Sequence, residues 1–205
     1  MHADQSDFRR SLETAIADLG VERLDEDATL KLVRHYSMML EWNRRINLTR
    51  ITDPDEAARF HYAESLYGLH LIGDAKTLLD IGSGAGFPAV PLAIARRDLN
   101  LTALESNRKK ALFLREVKSA LDLQNFSVAA ERVEQFDWSR FELLTCRALD
   151  HCEEILPTII ERLRKPQRLM LYCGSALAAR LAAIDIRSED HPIPHSEQRL
   201  IVLYG

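Results

Sequence analysis

The chain has 205 residues and a net charge of −4, with 46% apolar and 28% charged residues, a composition that fits one globular unit with a sizeable core and excludes a low-complexity or disulfide-stapled chain. No apolar run reaches the roughly 18–20 residues that cross a bilayer, and the start, MHADQSDFRR, lacks the basic-then-apolar pattern of a signal peptide, so a cytoplasmic protein with no membrane partner is expected. The charge does not exclude a nucleic-acid partner: residues 1–28 carry eight acids and three arginines, while the other 177 carry 24 Lys/Arg and 23 Asp/Glu, a near-neutral body able to present a basic face.

Residues 1–70 read as helices only, an N-terminal helical cap. FRRSLETAIADLG sets Phe8, Leu12, Ala15, Ile16 and Leu19 at helical spacing, with Gly20 as the stop. TLKLVRHYSMMLEWNRRINL places Leu32, Val33, Tyr36, Met39, Leu40 and Asn43 along one stripe, and Trp42 is expected in the core. TDPDEAARFHYAESLYGL predicts one helix, with Asp53 as N-cap, Pro54 at the first position and Gly68 near the end.

Residues 71–205 alternate strands with helices. KTLLDIG, LTALES, FSVAAE, FELLTCRAL, QRLMLYCG and RLIVLYG read as strands. Between them FPAVPLAIARR, NRKKALFLREVKSALDL, DHCEEILPTIIERL and SALAARLAAI read as helices, with a short helical turn at RVEQF. Such alternation means an α/β fold: a parallel sheet covered on both faces, which binds ligands at the carboxyl ends of its strands.

The first strand runs into Asp80-x-Gly82-x-Gly84-x-Gly86, followed by Phe87 and Pro88. Glycine there permits φ > 0 and lets a ligand touch the main chain. Pro88 is expected at the first position of the next helix, whose amides suit an anion. A dinucleotide loop needs a third glycine where this chain has Phe87, and no Gly-Lys-[Ser/Thr] follows to make a phosphate loop. S-adenosylmethionine fits better: its amino-acid end suits the loop around Ser83, and its ribose suits Glu105, 23 residues after Gly82 at the end of the second strand. The competing reading is a merely structural turn.

The segments EWNRRINLTRI, HYAESL, DIGSGAGFPAVPLAIA, LTALESNRKKALFLREV, RVE and CRAL together resemble the RsmG (GidB) family, bacterial 16S rRNA guanine-N7 methyltransferases. The resemblance spans about residues 30–175. It implies a class I S-adenosylmethionine-dependent methyltransferase fold, Rossmann-like, with a seven-stranded mostly parallel sheet and an N-terminal helical cap. It implies cofactor contacts from Gly82, Phe87, Val133, Glu134 and Arg147, with Val133 and Glu134 near the adenine and Arg147 facing the methyl-transfer centre. The acceptor it implies is N7 of a guanine in the 530 loop of 16S rRNA, in the small ribosomal subunit or an assembly intermediate. Two positions depart from the family pattern: Ala89 replaces a usual glycine, and Cys173 a lysine.

Guanine N7 carries a free lone pair, so transfer needs positioning rather than a base. The fourth strand ends in TCRA, not in an Asn-Pro-Pro-Tyr-like motif for exocyclic amines. Cys146 is expected to be a buried strand residue rather than a nucleophile, and Cys146, Cys152 and Cys173 lack zinc-like spacing, so neither a disulfide nor a metal is expected. His61 is either a packing histidine or, by resemblance, substrate-side. Asn47 and Thr49 either cap a turn or line the acceptor pocket. Arg108, Lys109 and Lys110, with Arg44, Arg45, Arg50, Arg59 and Arg115, are candidates for rRNA phosphates; ERLRKPQR at 161–168 is expected to be an exposed helix end. Nothing asks for an obligate oligomer, and a monomer is expected. A small-molecule methyltransferase and a non-catalytic binding module stay open as alternatives.

Overall fold

The computed structural model describes residues 3–147, 152–181, 187–196 and 198–205. Five helical segments come first: α1 (Ala3–Asp18), α2 (Glu26–Asn43), α3 (Pro54–Glu56), α4 (Glu64–Tyr67) and α5 (Leu69–Ile72), with a π-helical stretch at Ala57–Ala63. Then β1 (Thr77–Ile81), α6 (Ala89–Ala95), β2 (Asn100–Leu104), α7 (Arg108–Ala120), β3 (Phe126–Ala129), β4 (Leu143–Arg147), α8 (Cys152–Arg162), β5 (Arg168–Gly174), α9 (Ser175–Leu181), β6 (Ser188–Pro192) and β7 (Arg199–Tyr204) complete the described chain.

The strands form one sheet in the order β3-β2-β1-β4-β5-β7-β6. β1 to β5 run parallel, and β7 runs antiparallel to both β5 and β6. This is the class I methyltransferase sheet, mixed rather than wholly parallel. The strand order reverses between β1 and β4, so the crevice above these two strands is the switch point where α/β sheets take ligands.

Strand period decides which residues face which layer. On one face Leu78, Leu101, Ala103, Leu143, Met170 and Tyr172 join Phe8, Tyr36, Tyr62 and Phe113 in one cluster. The N-terminal helices therefore share a core with the sheet. On the other face Leu79, Ile81, Leu104, Leu144, Cys146 and Leu171 pack with Trp138, Leu156 and Ile159. Odd-numbered β4 residues point to the cap, so Arg147 does too, while Cys146 is buried on the opposite face.

Several expectations need correction. β6, whose sequence is Ser-Glu-Asp-His-Pro, has no counterpart among the expected strands; it is polar and largely exposed, and exists because β7 pairs with it. The single helix expected after Asp53 is broken by the π-helical stretch, and Gly68 sits between α4 and α5 because a Cβ there would lie 2.0 Å from Tyr172 Oη. Pro88 is the N-cap residue of α6 rather than its first position. RVEQF is a turn, held by Gln135 N–H to Arg132 O (3.1 Å), not a helix. Trp42 is half-buried at the edge of the core, its ring against Phe113 and its indole N–H donating to Glu116 (3.2 Å). The helix expected from Asp150 and the end of SALAARLAAI lie partly outside the described residues, as do Ala148 and Leu149 of CRAL.

Candidate cofactor site and acceptor cleft

β1 delivers the glycine loop to the switch point. Gly82, Gly84 and Gly86 have φ of +72°, +56° and +92°, a region that costs a residue with a side chain about 1 kcal/mol or more. Gly86 is required twice over, because a Cβ there would lie 2.6 Å from Val90 Cγ2. The loop is stitched to its neighbours: Gly82 N–H donates to Leu104 O (2.8 Å), Gly86 N–H to Ser83 O (2.7 Å) and Ser83 Oγ–H to Asp80 O (3.1 Å).

Glu105, buried just past β2, accepts Gly84 N–H (2.9 Å) on one oxygen and Asn107 N–H (2.7 Å) on the other. It braces the loop, and each oxygen keeps a further lone pair for a ribose hydroxyl. Asp80 lies beneath the loop, fully buried. Its Oδ1 accepts Thr145 Oγ1–H (2.8 Å), and its Oδ2 has no hydrogen-bond partner among the described residues. Burial pushes its carboxyl up to about 6, and the nearby Glu105 adds to this, while the Ser83 and Thr145 hydrogen bonds and Arg147 oppose it. A buried orphan acceptor under a bare backbone suits a ligand with a cationic end. The loop residues thus fit an amino-acid-bearing cofactor such as S-adenosylmethionine. Val133, buried, and Glu134, exposed, line a cleft of about 260 Å³ with Trp138, Ile155 and Arg162 on the side where the adenine is expected.

The cap packs against the loop. His61 stacks on Phe87, with centroids 4.4 Å apart and planes at 13°. Its Nε2 meets Thr49 Oγ1 at 2.8 Å, and its Nδ1 has no partner among the described residues. Burial, then the nearby charge of Arg147 and, less, that of Arg199, push its pKa down to about 3, so the ring is neutral at physiological pH. Thr49 is held in turn: Asn43 Oδ1 accepts Leu48 N–H (2.8 Å) and Thr49 N–H (3.1 Å), and Asn43 Nδ2 donates to Thr49 O (3.0 Å). Asn47 is exposed beside this loop.

Arg147 reaches from β4 into the cap. It donates to Phe60 O, to His61 O and Ser65 Oγ (3.3 Å each), and pairs with Glu64 at 3.0 Å. Arg199 of β7 takes the other oxygen of Glu64 at 2.9 Å and covers the Phe60 ring at 4.3 Å. Glu64 is therefore a buried carboxylate between two guanidinia; burial still pushes its pKa up despite them.

Arg108 and Lys109 are exposed and Lys110 half-buried at the start of α7, beside Glu105, where Asn107 caps the helix by accepting Lys109 N–H (3.0 Å). Arg44, Arg45, Arg50, Arg59 and Arg115 are also exposed. Helix α8 ends at Arg162, whose guanidinium covers Trp138 at 4.2 Å. Sequence reasoning missed His35, Asn43 as a loop clamp, Tyr62, Glu64 and Arg199. The Asn-x-x-x-Asn-Leu-Thr spacing pointed to Asn43; the others gave no local signal. Among the described residues no group of three His, Cys, Asp or Glu could hold a metal, and no helix is long and apolar enough to cross a membrane.

A family model described as GidB, rRNA small subunit methyltransferase G, matches residues 28–195. The chain belongs to this family. The ribosomal RNA small subunit methyltransferase G of Anaeromyxobacter sp. (strain Fw109-5) is 40% identical over 185 residues, 88% of this chain and 86% of that protein. The protein of the same description from Syntrophotalea carbinolica is 33% identical over 212 residues, 96% of this chain and 97% of its own. Among solved structures, a SAM-dependent methyltransferase from Aquifex aeolicus superposes with a TM-score of 0.58 at 15% identity, over 82% of this chain and 97% of that one. M. jannaschii TYW2 in complex with AdoMet gives 0.59 at 13% identity, over 78% of each chain. The structural likenesses show the class I methyltransferase fold; the sequence relatives show the methyltransferase G family.

Proposed function

We propose that this chain transfers the methyl of S-adenosylmethionine to N7 of a guanine in the 530 loop of small-subunit 16S rRNA. The observation that carries this reading is the contact of the braced glycine loop, through Phe87, with the neutral His61, beside the half-buried Arg147. Bound at the loop, S-adenosylmethionine would supply an electrophilic sulfonium methyl. Gly82, Gly84 and Gly86 leave its amino-acid end room against the backbone, and Asp80 offers its free oxygen to the cationic part. Glu105 accepts the ribose hydroxyls, and Val133 and Glu134 flank the adenine.

N7 attacks in line with its own lone pair, so the cap positions the base and takes no proton. His61 suits this task because it carries no charge: an imidazolium would repel both the sulfonium and the purine as it turns positive. Arg147 holds Phe60, His61 and Ser65 against the crevice. Thr49 and Asn47 edge the acceptor side. Arg108, Lys109 and Lys110, with Arg44, Arg45, Arg50 and Arg59, contact phosphates and set affinity rather than sequence choice. The substrate implies the cytoplasm, and one copy of the chain carries every residue named, so a monomer suffices.

The test is incubation with labelled cofactor and, separately, small subunits, naked 16S rRNA and a metabolite extract, followed by mass spectrometry of rRNA fragments. Methyl label at a guanine N7 of 16S rRNA is expected, and the subunit-versus-naked comparison identifies the true substrate form. Label confined to a small molecule would overturn the reading. Arg147→Ala should lose transfer, whereas Glu105→Ala should chiefly weaken donor binding.

A further inference from the structure

His35 is wholly buried in α2, yet it reaches the glycine loop 50 residues away. Its Nε2 lies 3.1 Å from the carbonyl oxygen of Ala85, between Gly84 and Gly86. Its Nδ1 lies 2.9 Å from the hydroxyl of Tyr62, in the π-helical stretch. A carbonyl only accepts, so Nε2 carries the proton. Nδ1 is then bare, and the Tyr62 hydroxyl donates to it. One tautomer satisfies the whole chain: Tyr62 O–H to His35 Nδ1, and His35 Nε2–H to Ala85 O. Burial keeps the ring neutral, with a pKa near 3.

The same side chains enclose Phe87. His35 meets that ring edge-on at 5.4 Å, Tyr62 edge-on at 4.9 Å, and His61 by stacking. The loop is thus gripped at consecutive residues from opposite sides: Glu105 holds Gly84 N–H from the sheet, and His35 holds Ala85 C=O from the cap. A segment with three glycines loses much backbone freedom when it is ordered, and a buried carbonyl without a donor is costly, so the cap-side bond bears directly on the loop's shape.

We propose that His35, oriented by Tyr62, is a positioning residue that fixes the donor-binding shape of the 82–87 loop, so that the N-terminal helices control donor affinity as well as the acceptor wall. The proposal rests on the loop being the S-adenosylmethionine site. The test is calorimetric titration of S-adenosylhomocysteine into the full chain, with the thermal midpoint recorded for each variant. His35→Leu should weaken binding roughly 10- to 100-fold, the loss of a donor to a buried carbonyl. His35→Gln, which restores an N–H, should recover most of that loss. Tyr62→Phe, a gentler change, should weaken binding by a few-fold and carries the test if His35→Leu does not fold. Leu12→Ala, a buried cap change on α1, should lower the midpoint while leaving affinity near wild type. In turnover, the His35 variants should raise KM for the donor more than they lower kcat. Unchanged affinity in His35→Leu, or in Tyr62→Phe if the first variant is unfolded, overturns the proposal, as does equal weakening by Leu12→Ala. Failure of the wild type itself to bind overturns the donor-site reading, and the proposal with it.

Discussion

Between Ile81 and Phe87 the chain turns on three positive-φ glycines and takes a side-chain brace from Glu105, an acid just past the next strand. Between Ala57 and Ser65 it winds as a π-helix that passes into α4 at Glu64, and it is held by Arg147 and, through Glu64, by Arg199, from strands far along the chain. The two regions meet where His61 and Tyr62 pack on Phe87. The first is shaped by what its backbone permits, the second by buried polar partners that arrive only when the sheet assembles. A π-helical turn offers its carbonyls differently from an α-helix, and here Arg147 takes those of Phe60 and His61. The glycine loop is therefore a local device and the cap segment a tertiary one.

That contrast can be broken most forcefully at Glu64. Glu64→Ala leaves two guanidinia facing each other without their shared carboxylate. Breaking a buried pair costs about 3–5 kcal/mol; with Arg199 partly exposed, the lower end is expected, read as a fall in urea-unfolding free energy. An equal loss from Glu64→Gln would show that charge, not shape, holds the wall.

The second probe is pH, acting on the glycine loop through Asp80. Its folded pKa is raised to about 6 from 3.8, so the folded state binds the proton more tightly than the unfolded one. Stability from this group is therefore present at low pH and falls as pH rises between about 4 and 6, by an amount of the order of 3 kcal/mol. Asp80→Asn should flatten this window in a difference plot against wild type. Donor affinity should run the other way and rise with pH through about 6, because a cationic ligand prefers the ionised carboxylate.

Asn43→Ala sharpens the comparison on the cap side. It removes three hydrogen bonds that shape the Leu48–Thr49 turn, at a cost of about 1–2 kcal/mol, and should reduce transfer to RNA while leaving donor affinity unchanged. The smallest effect belongs to the surface. Arg108→Ala or Lys109→Ala should each weaken RNA binding by under about 1 kcal/mol, with a shallower salt dependence and no change in donor affinity.

Much of the glycine-loop region is legible in the amino-acid sequence alone. The glycine spacing, the bulky Phe87 that excludes a dinucleotide loop, and Glu105 at a strand end are read from a window of about 25 residues, because φ preference and strand period are local properties. Asp53 as N-cap with Pro54 behind it is equally local, and its carboxylate accepts Asp55 N–H and Glu56 N–H at 3.0 Å each. β6 is invisible at that level, since a polar, exposed strand has neither alternation nor apolar content and owes its form to β7. The π-helical break is invisible too, because residues 57–63 keep an ordinary helical pattern.

By itself, the amino-acid sequence determined the α/β class, the strand that carries the glycine loop, the acid at the end of the next strand and, through its motifs, the family. Only the tertiary structure decided that Arg147 is clamped by the cap, that Glu64 bridges two arginines, that His61 is uncharged against Phe87 and that His35 grips the loop from behind. The physical reason is range: backbone preferences act over a few residues, whereas burial, charge pairing and tautomer choice depend on groups that meet only after the chain has closed on itself.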